Sequence, residues 1–161
     1  MTYHRVLVPI LGNGCDQQAL ELAASIVAEK ETDLSLVYVV EVSQEFPLEA
    51  SLPGQIESAE RALEAASSYA RSLFNGKRPI VHAELLQARS AGPAIVEEAA
   101  HQRSDVIVMA LRNQRKHGRA TVGDTVPYVL KNAPCEVLIR RQPARSGYDR
   151  CDWSPDIEDS E

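Results

Sequence analysis

The feature of this sequence that most restricts its fold is a repeated alternation of short apolar runs with longer helical patterns. The runs 5-RVLVPIL-11, 34-LSLVYVVEV-42 and 105-DVIVMA-110 are rich in β-branched residues, which favour strands. The runs 80-IVHAELL-86 and 136-EVLIR-140 complete a set of five. Strands that alternate with helices join through right-handed crossovers, so this order predicts a parallel sheet. The nearly continuous apolar character of the strands indicates that helices cover both faces.

Four helical patterns lie between these runs. The longest covers about residues 55–74, where apolar residues recur at three- and four-residue steps. Asp16 is placed to cap the first helix, and Gly92-Pro93 suits the start of the third. The last helix is expected from about Thr125 to Asn132. The chain is therefore predicted to be an α/β protein with a five-stranded parallel sheet between two helical layers.

Length and charge limit the functions that such a chain can have. The 161 residues fit one α/β domain, predicted over residues 1–142, and the net charge of −6 argues against a general nucleic-acid binder. Residues 143–161 are predicted to form an acidic, disordered tail, since residues 149–161 hold six carboxylates and one arginine. No apolar run is long enough to insert into a membrane, and no signal peptide precedes the first strand. A cytoplasmic location is expected.

The sequence contains none of the common patterns of a catalytic or metal site. The three cysteines, Cys15, Cys135 and Cys151, are widely spaced and form no CxxC motif. The four histidines lack metal-ligand spacing. There is no G-x-S-x-G elbow and no G-x-x-x-x-G-K-[ST] phosphate loop. Cys15 lies near a helix start, where a thiol can be acidified, although a packing role is the simpler interpretation. We therefore expect no catalytic residues and no metal.

Four stretches, taken in order, resemble the universal stress protein family over roughly residues 4–141. They are 6-VLVPI-10 followed by Gly12, 19-ALELA-23, 105-DVIVM-109 and 134-PCEVLI-139. The resemblance implies a three-layer sandwich of the adenine nucleotide alpha hydrolase-like type, related to the flavodoxin and Rossmann architectures. It also implies homodimers that form largely through the last strand. The strand residues concerned are Val137, Leu138 and Ile139.

Some members of that family bind ATP through a G-x2-G-x9-G-[ST] signature directly after the fourth strand. The same spacing here falls on Ala110, Asn113, Gly123 and Asp124, so only the last glycine matches. Nucleotide binders also usually carry an aspartate at the end of the first strand, where this chain has Leu11. The resemblance and the strand ends together predict ten nucleotide-site residues. They are Pro9, Leu11, Val39, Val40, Met109, Ala110, Asn113, Gly123, Asp124 and Thr125.

The departures from the signature predict a weak or lost ATP site. Ala110 adds a methyl group where backbone would approach phosphate, whereas Asn113 still tolerates a left-handed conformation. Asp124 precedes the last helix, where free N–H groups and the helix dipole attract anions. Its carboxylate can cap the helix as well as serine does, but it would repel phosphate. Val39, Val40 and Met109 are more simply explained as core residues, because such apolar residues are usually buried.

The interior of the same loop has the opposite charge. The stretch 112-RNQRKHGR-119 holds Arg112, Arg115, Lys116 and Arg119 with His117 among them. Charge runs in loops are usually solvated, and that is the simplest interpretation. A functional alternative is that the loop attracts an anion. The anion could be a nucleotide phosphate, an acidic partner surface or the acidic tail of the chain itself.

Two functions therefore compete. The first is a non-catalytic cytoplasmic stress-response or regulatory domain that acts as a homodimer, with an altered ATP site and no required cofactor. The second is a regulatory module that binds ATP, AMP or a cyclic dinucleotide through loop 112–119. A third interpretation, an accessory domain of a membrane transporter or other protein partner, has no specific support in these residues. An enzyme is the least favoured.

Overall fold

The helices and strands follow the predicted alternation closely. The computed structural model describes residues 2–28, 31–74, 78–111, 114–116, 119–121 and 123–141. The strands are β1 (Arg5–Ile10), β2 (Asp33–Glu41), β3 (Ile80–Ala88), β4 (Val106–Leu111), β5 (Gln114–Lys116), β6 (Arg119–Thr121) and β7 (Glu136–Arg141). The helices are α1 (Cys15–Ile26), α2 (Pro53–Leu73), α3 (Ala91–His101) and α4 (Thr125–Asn132).

The central sheet has five parallel strands in the order β3-β2-β1-β4-β7. Helices α1 and α2 pack on one face, and α3 and α4 pack on the other. The predicted α/β class with helices on both faces is therefore confirmed. The strand order reverses between β1 and β4, which is where open α/β sheets of this kind form a crevice at the carboxyl ends of the strands.

The core is divided by the sheet into two apolar layers. Successive strand residues point to opposite faces, so Val6 and Val8 join the layer under α1 and α2 while Leu7 joins the other. The helical side of the first layer is built largely from small residues. They are Ala19, Ala23, Ala59, Ala62, Ala66 and Ala70, all buried. Alanine lets helix backbones approach the sheet closely, which explains how a chain with few aromatics fills its core.

The segment after β4 differs from its prediction. It was expected to be an irregular loop up to Gly123, but β5 and β6 pair antiparallel as a short hairpin in a sheet of their own. The hairpin backbone is paired between Gln114 and Thr121, between Arg115 and Ala120, and between Lys116 and Arg119. Asn113, Arg112 and His117 lie outside the described residues. The predicted acidic tail, residues 143–161, lies outside them as well.

The ladder between β1 and β4 is short. Its paired residues are Val6 with Val106 and Leu7 with Ile107, whereas β1 pairs with β2 along its whole length. Two residues beyond Leu7 comes Pro9, which has no N–H to donate to a neighbouring strand. The two central strands are therefore unpaired with each other toward their carboxyl ends. This places the opening of the sheet beside the predicted site.

None of the helices in the described part of the chain has the length and apolarity needed to cross a membrane.

Candidate functional site

The loop between β1 and α1 is held by a carboxylate inside the helix. Oδ1 of Asp16 accepts a hydrogen bond from the N–H of Leu11 (2.7 Å), and Oδ2 accepts one from Gly12 (2.8 Å). Gly12 has φ +77°, a left-handed conformation that glycine adopts without strain. The prediction that Asp16 caps α1 is wrong. Gly14 is the N-cap, and Asp16 lies in the first turn with its side chain directed back at the loop.

Asp16 is a nearly buried acid. The residue is only 9% exposed, and burial raises the pKa of its carboxyl to about 6. Backbone hydrogen bonds from Leu11, Gly12 and Asn13 favour the charged form and oppose that rise, but burial is the larger effect. The loop at the carboxyl end of β1 is therefore fixed by a group that changes protonation at mildly acidic pH.

Leu11 stands where nucleotide binders of the resembled family have an aspartate. Its side chain is 45% exposed, which is unusual for leucine. Pro9 and Ile10, just before it, are buried in the strand. At position 11 the chain therefore presents an apolar side chain, which offers no hydrogen bond to a ribose or a phosphate.

The end of β2 forms one wall of a cleft of about 480 Å³. Val40 is buried and Val39 is half-buried. The opposite wall is the first turns of α2, with Gly54, Gln55 and Ser58. Both valines therefore take part in the core and also border an open space at the carboxyl end of the sheet.

Glu41, the last residue of β2, occupies the amino end of α3. Its Oε1 accepts a hydrogen bond from the N–H of Ala91 (2.9 Å). Ser90, the N-cap residue, makes no capping hydrogen bond with its own side chain. The carboxylate of Glu41, which belongs to β2, thus satisfies a backbone N–H in the first turn of α3, where the helix dipole favours negative charge.

The connection that follows β2 is fastened by two side chains near the end of β3. Nη1 of Arg89 donates to the carbonyl oxygens of Val42 (3.3 Å), Ser43 (2.6 Å) and Phe46 (2.8 Å). Nε2 of Gln87 donates to the carbonyl oxygen of Ala50 (3.0 Å). This segment has no helix or strand to satisfy its carbonyl groups, so the side chains replace that ladder.

At the end of β4, Met109 and Ala110 are both buried. The methyl group of Ala110 belongs to the core layer under α1 and α2. Gly123 keeps a left-handed backbone, with φ +69°. Thr125, the first residue of α4, is half-buried. The end of the signature loop thus keeps its glycine geometry, while its first glycine position is filled by a core side chain.

Asp124 lies at the N-cap of α4 but does not act as a cap. Its side chain makes no capping hydrogen bond, contrary to prediction, and it is exposed. An N-cap oxygen normally accepts from the second or third helical N–H, and the third residue of α4 is Pro127, which has none. The carboxylate is therefore left at the amino end of the helix, where a phosphate would otherwise approach.

Three of the four helices now share one feature. A carboxylate of the chain itself lies at the amino end of α1 (Asp16), α3 (Glu41) and α4 (Asp124). Helix α2 begins at Pro53 after the N-cap residue Leu52 and has no acidic residue in its first turn. Because helix amino ends are the usual anion sites of an α/β sheet, these carboxylates oppose anion binding at the carboxyl edge.

Sequence reasoning missed the roles of Asp16 and Glu41. The position of Asp16 next to Gly12 and Gly14 could have suggested a side chain that turns back onto the loop. Glu41 gave no such signal, because Ala91 lies 50 residues away along the chain. The side chains of loop 112–119 and Asn113 lie outside the described residues, so their predicted roles stay predictions.

Other reactive groups offer little chemistry. Cys15 is buried. The pKa of the Cys135 thiol is raised, first by partial burial and then by the negative charges of Asp105 and Glu136. A hydrogen bond with the backbone of Ile107 opposes this rise. A raised pKa leaves less of the reactive thiolate at neutral pH. Within the ranges that the structure covers, no three histidine, cysteine, aspartate or glutamate side chains converge in a way that could hold a metal ion.

Comparison with known proteins shows which proteins this chain resembles in sequence and in fold. The model of the Universal stress protein family matches residues 2–141. Universal stress protein MJ0531 of Methanocaldococcus jannaschii is 28% identical over 145 residues, which is 89% of this chain and 85% of that protein. Among solved structures, UspA from Lactobacillus plantarum is 24% identical with a TM-score of 0.66, and the alignment covers 86% of this chain and 98% of that one. The universal stress protein from Archaeoglobus fulgidus in complex with dAMP is 18% identical with a TM-score of 0.64, covering 86% and 98%.

Proposed function

Because the chain belongs to the universal stress protein family, we propose that it is a non-catalytic, cytoplasmic regulatory domain that acts as a homodimer and binds Mg-ATP weakly or not at all. The observation that carries this proposal is the exposed carboxylate of Asp124 at the amino end of α4, which makes no capping hydrogen bond. It stands directly after Gly123, where the ATP-binding signature of the family has serine or threonine.

The effect of Asp124 on a bound phosphate is large enough to matter. Two like charges about 5 Å apart repel by roughly 3 kcal/mol at an effective dielectric constant of about 20, and solvent screening lowers this at an exposed site. A loss of even ~1.4 kcal/mol is tenfold in affinity. Leu11 adds to the loss, since it offers no hydrogen bond at the opposite side of the crevice. Glu41 already occupies the nearest alternative anion site, the amino end of α3.

A second candidate is a module for an adenine nucleotide with fewer phosphates. Gly12 and Gly123 both keep the left-handed backbone, so the turns that would surround a nucleotide persist. The cleft beside Val39 and Val40 is open and is bordered by these apolar side chains on one wall and by Gln55 and Ser58 on the other. The related protein from Archaeoglobus fulgidus was solved with dAMP. A monophosphate would suffer less repulsion from Asp124 than the triphosphate of ATP does.

Calorimetric titration with Mg-ATP and AMP separates the two candidates. The proposal expects no Mg-ATP binding at micromolar concentrations, and tight binding by the wild-type protein would contradict it. Micromolar binding of AMP without Mg-ATP would favour the second candidate.

A variant that combines Leu11→Asp with Asp124→Ser tests the physical reasoning. It should gain at least about tenfold in Mg-ATP affinity, because it regains a polar contact and loses a repulsive charge. Glu64→Ser, on the exposed face of α2, removes one negative charge far from the helix amino ends and is the matched control. If the double variant gains no more affinity than this control, the role assigned to Asp124 and Leu11 is wrong.

The proposed homodimer rests on the edge strand β7. Within the part of the chain that the structure covers, β7 pairs with β4 alone and forms an edge of the central sheet. Val137, Leu138 and Ile139 are each only half-buried in the single chain. An uncovered apolar edge of this kind is a template for a second copy, and a twofold contact would bury it.

A further inference from the structure

A second cleft, of about 520 Å³, opens at the other end of the sheet. It lies over the amino ends of β1, β2 and β3, on the face that carries α3 and α4. Helix α3 ends at His101, so this corner of the sheet has no helix above it. The cleft is remote from the predicted nucleotide residues, which lie at the carboxyl ends of the strands.

Two buried hydroxyl residues line this cleft. Ser35 of β2 is 8% exposed, and Ser104, in the turn after α3, is 9% exposed. Neither hydroxyl makes a hydrogen bond with any residue that the structure describes, and neither oxygen is itself fully buried, since both serines border the cleft. Both serines therefore have unused donor and acceptor capacity at the wall of an open cavity.

Two carboxyl groups meet in the same cleft. Glu84 of β3 shares a hydrogen bond with Glu98 of α3. Partial burial, followed by the charge and the hydrogen bond of Glu98, raises the pKa of Glu84, while His101 and His82 act in the opposite direction. The amide of Gln102 donates to Oε1 of Glu98 and orients it. The two carboxyl groups are thus close enough to interact, and a cation could lie between them.

The remaining charged groups of the cleft come from every surrounding element. Arg5 lies on β1, Asp33 on β2, His82 on β3 and Arg103 in the turn after α3. Nε2 of His82 is 3.8 Å from Oδ1 of Asp33. The cleft is lined by three carboxyl groups, on Asp33, Glu84 and Glu98, and by two arginines. A ligand cation between the two glutamates would favour their ionised forms, which are hydrogen-bond acceptors.

We propose that this cleft binds a small primary amine, with its ammonium group between Glu84 and Glu98 and the hydroxyls of Ser35 and Ser104 completing its hydrogen bonds. An ammonium group has three donors, which matches two carboxylates and one hydroxyl acceptor. A metal ion fits less well, because the described residues contain no group of three metal-ligating side chains. The second serine and the arginines remain available to a polar group at the other end of the ligand.

The probe is 1,4-diaminobutane, followed by nuclear magnetic resonance of the backbone amides at neutral pH. Saturable shifts are expected at residues 33–35, 82–84 and 98–104. The matched neutral compound, 1,4-butanediol, should produce none of them, and sodium chloride at equal ionic strength corrects for screening. Equal shifts with the diol, or a response spread evenly over the surface, would overturn the proposal.

Substitutions in the cleft distinguish specific diamine binding from nonspecific electrostatic attraction to an acidic protein. Glu98→Gln should weaken diamine binding at least about tenfold, the loss expected for a charge-assisted hydrogen bond. Glu97→Gln removes the same charge from the neighbouring exposed position, which does not line this cleft, and should change affinity less than about twofold. Ser35→Ala should reduce affinity several-fold. If Glu97→Gln and Glu98→Gln have the same effect, or if Ser35→Ala has none, the assignment fails.

The pH dependence gives an independent readout. Because the ammonium group requires the ionised form of Glu84, diamine affinity should fall as pH is lowered through the raised pKa of that carboxyl. In Glu84→Gln that acid-side fall should be reduced. An affinity that stays constant over this range would contradict the placement of the ammonium group.

Discussion

Replacing Asp16 with asparagine should change the pH dependence of folding by an amount that follows from the burial of this side chain. In the folded protein the carboxyl has a pKa of about 6, against an ordinary value of 3.8. A difference of roughly two pKa units corresponds to about 3 kcal/mol between the two protonation states. The comparison with asparagine is informative because the shapes are alike and only one of them titrates.

The sign follows from the raised pKa. The folded state holds the proton more tightly than the unfolded state, so the stability that protonated Asp16 contributes is fully present below pH 3.8 and is lost as the pH rises through about 6. Wild type should therefore lose about 2 to 3 kcal/mol relative to Asp16→Asn between pH 4 and pH 7.5. Asparagine cannot accept from both Leu11 and Gly12 with the same geometry, but that cost does not depend on pH and cancels in the difference.

Urea unfolding followed by circular dichroism measures both proteins at the two pH values. The protein concentration is held constant, since an associating protein gains stability with concentration. Asp16→Asn should be less harmful, or even stabilising, at pH 7.5 and clearly harmful at pH 4. A free-energy difference between the two proteins that is the same at both pH values would refute the reasoning, and so would a difference of opposite sign.

Two further predictions use matched positions. Gly92→Ala should destabilise the protein by about 1 kcal/mol, because the new methyl group would lie 3.0 Å from Cβ and ring atoms of Tyr128. Gly54 is also the second residue of its helix but has open space around it. Gly54→Ala should therefore be neutral or stabilising in the same urea unfolding assay. Equal effects of the two substitutions would contradict the contact between α3 and α4. Ile139→Lys should convert the proposed dimer to a monomer, as measured by sedimentation velocity, because it places a charge on the edge strand β7. Ile80→Lys, on the opposite edge strand β3, should leave the dimer intact. A monomeric wild-type protein, or a dimer that is lost only in Ile80→Lys, would disprove the assigned interface.

The sequence predicted the elements well where local patterns determine them. Helix α4 begins and ends at the predicted residues because Gly123-Asp124 precede it and Ala133-Pro134 follow it. The β5–β6 hairpin was missed because residues 114–121 are mostly polar and lack the alternation by which strands are recognised. The two strands are paired through their backbones, and the pattern of their side chains gives no sign of that pairing.

The site was harder to predict, for two different reasons. The contact of Glu41 with Ala91 joins residues that only the fold brings together, so no local pattern could reveal it. A weakened cap at Asp124 was readable, since Pro127, three positions later in the sequence, has no N–H and leaves only that of Val126 as a capping partner. Local rules applied one residue at a time overlook such combinations.

The side chain of Arg89 has a consequence for how this protein is degraded. Proteases cut segments that can leave the surface and extend, and such segments are usually loops without regular backbone pairing. The connection after β2 would be an obvious target, yet one guanidinium holds three of its carbonyl groups at once. Its release is then a single concerted opening and not a gradual fraying. Together with Gln87, which holds Ala50 further along, Arg89 therefore limits how often this stretch is available for cleavage.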